Sequence, residues 1–344
     1  MTPPAPHAQR HPSTGRWRLL AGALVSVAFL WLAFRGVDWA SAWSHLARAN
    51  GWLLLLGLLS VPAGAVLRAE RWRALFHPYD RSMRLGACFS AMLIGQGVNA
   101  VAPLRAGEVV RALLIGEMER VSRALALWTT VVEKVLDTAA LLLFLALASL
   151  TMLLPAWVRG AGWTLTLGLV AGLVLVGVLV TYESASAAWL ARLEERLPWL
   201  RRLRPGRLVA AVAASARRMR HPRLAVGLML RSAIIFVALS ATNGIVGIGM
   251  GLRLPAMAYA LLFAILQISA IVPLPTSPGR LGVFHYLCVL VLALYGVERD
   301  AALAYGMVLH VLVYLPTAVG APLLLWWESR RGYALGRVLG LHRT

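Results

Sequence analysis

Two short stretches of this sequence place ionisable side chains where their neighbours are apolar. The first reads Asn99-Ala-Val-Ala-Pro103-Leu-Arg105-Ala-Gly107-Glu108-Val-Val-Arg111. Arg105, Glu108 and Arg111 recur every three residues, so a helix would carry them on one face. Pro103 stops an incoming helix and Gly107 permits close approach of backbone or ligand. The free N–H groups that open the following helix, together with arginine guanidinium groups, form a setting suited to phosphate. The second stretch is Glu133-Lys134-Val-Leu-Asp137. Glu133 and Asp137 share a helical face at i,i+4, and Lys134 is placed to pair with Asp137 at i,i+3. Charges inside an apolar segment cost several kcal/mol unless paired or wetted, which makes them candidates for function. Arg105, Arg111 and Lys134 balance Glu108, Glu133 and Asp137, so the group can equally close on itself as a structural ion network.

A third stretch, Pro273-Leu-Pro275-Thr-Ser-Pro278-Gly279-Arg280-Leu-Gly282-Val-Phe-His285, sets a stiff entry before a tight start to the next helix. A cation such as Arg280 at a helix N-terminus is unfavourable unless it meets an anion. His285 and His310 stand on apolar segments, where a histidine serves either as a hydrogen-bonded packing residue or as a proton relay. Neither has metal-ligand spacing. Cys88 and Cys288 are isolated in apolar runs and read as packing residues. No GxxxxGK[ST], HExxH or GxSxG motif occurs, so no catalytic residue, cofactor or metal is expected, and the chain is not expected to be an enzyme.

The elements that must hold these residues follow from composition. Of 344 residues, 60% are hydrophobic and 14% charged, with 34 Lys+Arg against 14 Asp+Glu for a net charge of +20. Soluble domains run at roughly 45–50% apolar and 25% charged. A soluble enzyme and a disordered chain are therefore excluded. A nucleic-acid binder would carry its basic residues on a moderately apolar domain; here apolar runs separate them, as in a polytopic membrane protein.

Apolar segments are expected near 17–34, 51–67, 85–99, 107–116, 121–154, 163–182, 224–250, 256–272, 282–296 and 301–327. Counting arginines in the gaps gives 22 on one side and 5 on the other. The positive-inside rule puts the 22, and both termini, in the cytoplasm of a bacterial-type plasma membrane. For the segment from Val121 to start inside, 85–99 and 107–116 must begin and end at the cytoplasmic face. The second of these is too short to span. They form a re-entrant hairpin with its tip at Asn99–Arg105, and 256–272 with 282–296 forms another, entering from outside, with its tip at Pro273–Gly282. The alternative is that both breaks are packing kinks in full spans. The expected fold is all-α, with about six transmembrane helices and two re-entrant hairpins in a four-plus-four inverted repeat. Its parts are a cytoplasmic tail (1–16), a first half (17–160) with a hairpin near 85–116, a second half (161–327) with a hairpin near 256–296, and a basic tail (328–344). Within the second half, 183–223 reads as an Arg-rich amphipathic segment at the headgroup level. Arg71-Trp72-Arg73 reads as an interfacial anchor.

Arg68-x-x-Arg71-Trp72, Asn99-x-x-x-Pro103-x-Arg105-x-Gly107-Glu108-x-x-Arg111, Glu133-Lys134-x-x-Asp137 and Pro278-Gly279-x-x-Gly282 together resemble the lysylphosphatidylglycerol synthase transmembrane-region family, also called flippase-like. The resemblance covers nearly the whole chain after about residue 15. It implies an integral membrane protein related to the flippase half of bacterial lysylphosphatidylglycerol synthases. In those proteins a separate C-terminal soluble domain transfers the amino acid from tRNA to lipid. With 17 residues after Trp327, that domain is not expected here and aminoacylation is not carried over. Many members resemble Pro-Gly-Gly-x-Gly at the second tip and often place Glu where His285 stands. Other relatives look like partners in glycolipid or isoprenoid-linked sugar metabolism.

The expected function is a lipid transporter or flippase that handles an anionic phospholipid, polyprenyl or glycolipid phosphate headgroup between the two tips. Its partners are then membrane lipids, not nucleic acid. Arg105, Arg111 and Arg280 would contact phosphate; Glu108, Glu133, Lys134 and Asp137 would orient them and could exchange protons. The other reading is an accessory or scaffold subunit beside a membrane lipid-modifying enzyme or glycosyltransferase.

Overall fold

The computed structural model describes residues 27, 29–77, 82–101, 106–151, 154–182, 188–189, 192, 222–271 and 278–333. Its helices are α1 (Trp39–Ala47), α2 (Gly51–Ala74), α3 (Leu85–Val101), α4 (Ala106–Glu119), α5 (Arg123–Thr151), α6 (Ala156–Thr181), α7 (Pro222–Gly249), α8 (Ala256–Ile271), α9 (Leu281–Ala293) and α10 (Arg299–Arg330). A 3-10 turn, Pro278–Arg280, precedes α9, and no strand occurs among the described residues.

Four of these helices, within Gly51–Ala74, Ala156–Leu175, Arg223–Gly249 and Arg299–Arg330, are long and apolar enough to cross a membrane. Helix α5 is 29 residues, roughly 43 Å at 1.5 Å per residue. Its apolar run is interrupted by Glu133, Lys134 and Asp137. Leu, Val and Ile side chains of α6 and α7 such as Leu167, Val174, Leu230 and Ile234 point outward, as a surface facing hydrocarbon requires. Trp52, Trp157, Trp163, Trp326 and Trp327 are exposed near helix ends, the usual level of an aromatic belt.

Helix bounds depart from expectation mainly at polar ends. The region 35–50, read as a gap, contains α1, whose start is capped by Asp38 accepting from Ala40 N at 2.9 Å. Asn50 caps α2 in the same way, accepting from Trp52 N at 3.0 Å. Helix α4, expected over 107–116, runs on to Glu119 because Arg84 Nε pairs with Glu119 Oε1 at 2.8 Å and holds the last turn. At 14 residues, or about 21 Å, it is still shorter than a bilayer core of ~30 Å.

Helices α2 and α7 form the central seam, and a seven-residue step organises it. Gly57, Gly64 and Arg71 lie on one face of α2, opposite Val246, Leu239 and Ser232 of the antiparallel α7. A Cβ on Gly57 would lie 2.8 Å from Val246 Cγ2, and one on Gly64 would lie 2.7 Å from Leu239 Cδ2. Ser60 Oγ and Thr242 Oγ1 share a hydrogen bond at 2.8 Å between these steps. Small residues let the backbones approach, which is how helices hold together where no water drives association.

Around the seam, α3 packs on α2, α4 and α10, and α8 packs on α7, α9 and α5. Helix α10 also touches α9, α2, α7 and α1, and α5 touches α4, α7 and α8. Two large apolar cores result, beside a smaller cluster of Ala74, Trp128, Val132, Leu136 and Leu228. One gathers Trp72, Phe76, Cys88, Leu114 and Ile115 where α2, α3 and α4 meet. The other gathers Leu261, Ile265, Leu292, Tyr305 and Leu309 from α8, α9 and α10. Both cysteines are free and buried, as packing residues are.

Candidate functional site

The crossing of α3 and α4 is set by two glycines. A Cβ on Gly107 would sit 1.9 Å from Gly95 O, and one on Gly95 would sit 2.8 Å from Gly107 O. Asn99 Oδ1 accepts from Gly107 N at 2.8 Å and satisfies one of the free donors at the start of α4. The two helices are thereby clamped at a backbone distance only glycine permits, and α4 presents Glu108 and Arg111 to α5.

Arg111 donates Nη2 to Glu133 Oε2 at 2.5 Å and lies 3.1 Å from Glu108 Oε2 through Nε. That second contact is an ion pair by distance only, because the Nε–H is not aimed along it. Its guanidinium carbon also stands 4.9 Å from the centre of the Trp72 ring, a cation–π contact. Trp72 Nε1 donates to Thr129 Oγ1 at 3.1 Å.

The other half of the network comes from α2. Arg71 is 0% exposed. It donates Nη1 to Ser232 Oγ at 2.9 Å and Nη2 to Glu133 Oε1 at 3.2 Å, and Nη2 is 2.8 Å from Asp137 Oδ1. The expected interfacial anchor is therefore a correction: Arg71 and Trp72 are interior residues. The heptad step from Gly57 and Gly64 was the signal, since it puts position 71 on the face packed against α7 and α5. Lys134 pairs with Glu108 at 3.1 Å, not with Asp137 as its i,i+3 spacing suggested, because Asp137 is held by Arg71. The lysine side chain is 38% exposed and lies at the rim. Arg71, Arg111 and Lys134 thus face Glu108, Glu133 and Asp137, and the charges cancel. Arg68, one turn before Arg71, stands within electrostatic range of Asp137 without an ion pair to it. Arg105 lies outside the described residues.

Arg280 is built differently. It has left-handed backbone (φ 54, ψ 33), the second of two consecutive positive-φ residues after Gly279 at φ 69. For a residue with a Cβ this conformation costs about 1–2 kcal/mol. Its guanidinium donates to Ser269 Oγ at 3.0 Å, to Leu266 O at 3.4 Å and to Tyr314 OH at 3.4 Å. All three partners are neutral. Arg280 has no ion pair with the described residues. The turn that carries it packs directly on α3 of the first pair of short helices.

Below the turn lies an aromatic column that sequence spacing did not reveal. His285 stacks on His310 with ring centres 5.1 Å apart, and His310 stacks on Tyr314 at 4.3 Å. Phe284 meets His310 edge-on at 4.8 Å. His285 Nδ1 is 2.6 Å from Leu281 O, so that nitrogen carries the hydrogen. A Cβ on Gly279 would lie 3.5 Å from His310 Nε2, which places the turn against the imidazole.

A polytopic helical chain with charged motifs at these spacings can be compared with known proteins. The profile of the lysylphosphatidylglycerol synthase TM region matches residues 19–320. The chain belongs to that family. A UPF0104 membrane protein of Methanocaldococcus jannaschii is 28% identical over 127 residues, covering 35% of this chain and 37% of the relative. The chain thus matches little more than a third of that relative's length. No solved structure matches. The family is one of membrane proteins of lipid-related function, and every residue of the network lies within the matched region.

Proposed function

We propose that this protein is a lipid transporter of the flippase type that receives an anionic phosphate headgroup between its two pairs of short helices. The observation that carries this reading is Arg280: a guanidinium fixed by neutral partners, with no ion pair among the described residues, on a turn packed against α3. Arg68 adds a second cation beyond the charge balance of the buried network. Arg105, from the phosphate-suited stretch before α4, is the third headgroup contact of this reading. The closed network of Arg71, Arg111, Glu108, Glu133, Lys134 and Asp137 then serves as a rigid frame behind the contacts.

The packing scheme supports an inverted repeat. The pairs α2–α3, α3–α4, α4–α5, α3–α10 and α2–α10 have the counterparts α7–α8, α8–α9, α9–α10, α8–α5 and α7–α5. A two-fold axis exchanging α2–α5 with α7–α10 would produce this set and would leave α2–α7 as its own partner. On this reading α3–α4 and α8–α9 are re-entrant hairpins, and the excess of cytoplasmic arginine sets both termini inside.

The test is translocation of labelled phospholipid in proteoliposomes. The Arg105→Ala, Arg280→Ala double variant should lose headgroup translocation, and unchanged transport would sink the reading. A second reading, a scaffold subunit for a membrane lipid-modifying enzyme, is favoured by the self-neutralising network, which needs no ligand to complete it. That reading requires that the pure protein move no lipid.

A further inference from the structure

The two long helices carry their polar residues in nearly the same register but with different chemistry. Glu133 and Asp137 stand 10 and 14 residues after the first residue of α5; His310 and Tyr314 stand 11 and 15 after the first residue of α10. Arg111 stands 5 after the start of α4 and His285 stands 4 after the start of α9. Where the first half uses permanent charges that cancel, the second half uses two imidazoles and a phenol.

His310 is 9% exposed and its Nδ1 is buried with no hydrogen-bond partner among the described residues. A buried ring nitrogen without a partner is rare enough to require a reason. His285 offers a second acceptor, since its Nδ1–H is committed to Leu281 O and Nε2 keeps the lone pair. The charged or titratable groups that face His310 are His285 from α9, Arg280 from the turn and Tyr314 from its own helix. Cys288 lies behind His285 against Gly306, and Phe34 is the neighbour contributed from the chain before α1. No carboxylate pairs with any member of this group among the described residues. An imidazolium formed here would stand in a column with Arg280 and nothing to offset it, and two imidazolium rings 5.1 Å apart would repel each other. One proton is therefore the most the pair holds, and an anion at Arg280 is what would balance it.

We propose that His310, with His285, is a proton site coupled to the anion site at Arg280, so that one proton is taken up with each anionic headgroup. The proton comes from water, adds to an imidazole lone pair and leaves as the headgroup leaves; no covalent bond to the lipid is made. This rests on the headgroup reading above and extends it by naming the coupled ion. By linkage the effect is reciprocal: whatever the anion does for proton binding, the proton does for anion binding.

The test is binding of dihexanoyl phosphatidylglycerol to the full chain in an uncharged detergent. Its phosphodiester keeps a single charge, whereas a phosphate monoester would itself titrate near pH 6. Affinity should rise by about tenfold per pH unit as pH falls through the imidazole range between about 5 and 8. In weak buffer, an indicator dye should report one proton taken up per lipid bound. His310→Gln should flatten the pH dependence and hold affinity near the weak value the unaltered protein shows at high pH, and His285→Gln should shift or flatten it. The proton-uptake measurement on the unaltered protein stands even if a variant fails to fold. Binding that is independent of pH with no proton uptake would overturn the coupling and leave the headgroup reading intact. A slope that survives in both histidine variants would also overturn it. No binding of this lipid at any pH would overturn the coupling and the headgroup reading together.

Discussion

Arg71 on α2 and Glu133 on α5 are joined at 3.2 Å inside a protein region where the arginine is wholly buried and the glutamate nearly so. Each has a further partner: Ser232 and Asp137 for the arginine, Arg111 for the glutamate. Removing one member of such a set strands the opposite charge, which costs about 3–5 kcal/mol. Arg71→Met should therefore unfold the protein at markedly lower temperature in detergent. The double variant Arg71→Met, Asp137→Asn should be less destabilised than the single one, because it removes one charge of each sign and leaves Glu133 paired with Arg111. Equal or greater loss in the double variant, read by thermal unfolding, would count against a network held mainly by charge balance.

Lys134 is the chain's only lysine, yet its ammonium sits at the rim with Glu108. Ion pairs this exposed contribute about 0–1 kcal/mol. Lys134→Arg should leave the unfolding temperature nearly unchanged, and Lys134→Met should lower it slightly. A large loss in either would mean that the lysine is held in a dry, unsubstitutable position.

Gly107 and Gly95 leave no room for a methyl group at the crossing of α3 and α4. Gly107→Ala drives a Cβ into a backbone oxygen, where no side chain can rotate away. Overpacking usually costs about 1–3 kcal/mol, and this contact belongs at the upper end. Reduced yield of folded protein on size-exclusion chromatography is the expected result. Gly160→Ala, with open space around its Cβ, is the control that should behave like the parent.

Arg280 lets stability and the proposed headgroup role be measured apart. Its left-handed backbone is strained for arginine and comfortable for glycine. Arg280→Gly should leave stability unchanged or raise it by about 1 kcal/mol while abolishing lipid movement. Thermal unfolding and proteoliposome transport measured on the same preparation check both halves. Transport that survives in a stabilised Arg280→Gly protein would remove Arg280 from the headgroup site.

The membrane class and most helix positions were legible because apolar runs and Gly/Pro breaks depend on local composition. The acidic and basic residues of α4 and α5 were legible as a group, because Arg111, Glu133 and Asp137 stand out in apolar sequence. Their pairing was not. Helical spacing assigned Asp137 to Lys134, and the tertiary contact with α2 gave it to Arg71 instead. Arg71 itself was misread because Arg-Trp-Arg at the end of an apolar run resembles an interfacial belt from composition alone. The imidazole column was invisible for a related reason: His285 and His310 lie on different helices, and nothing in either neighbourhood encodes their stacking.

The heptad register between α2 and α7 limits how these two helices can move against each other. Leu239 over Gly64 and Val246 over Gly57 act as teeth in matching notches, and Arg71 on Ser232 locks the far end. A slide of one residue would lift both large side chains out of their notches and break the lock. Rotation about the seam keeps all three contacts near their places. Relative motion of α2 and α7 is therefore confined to rotation about their shared seam. Cross-linking those helices at mid-length, between the Gly57 and Gly64 notches, would leave that rotation free.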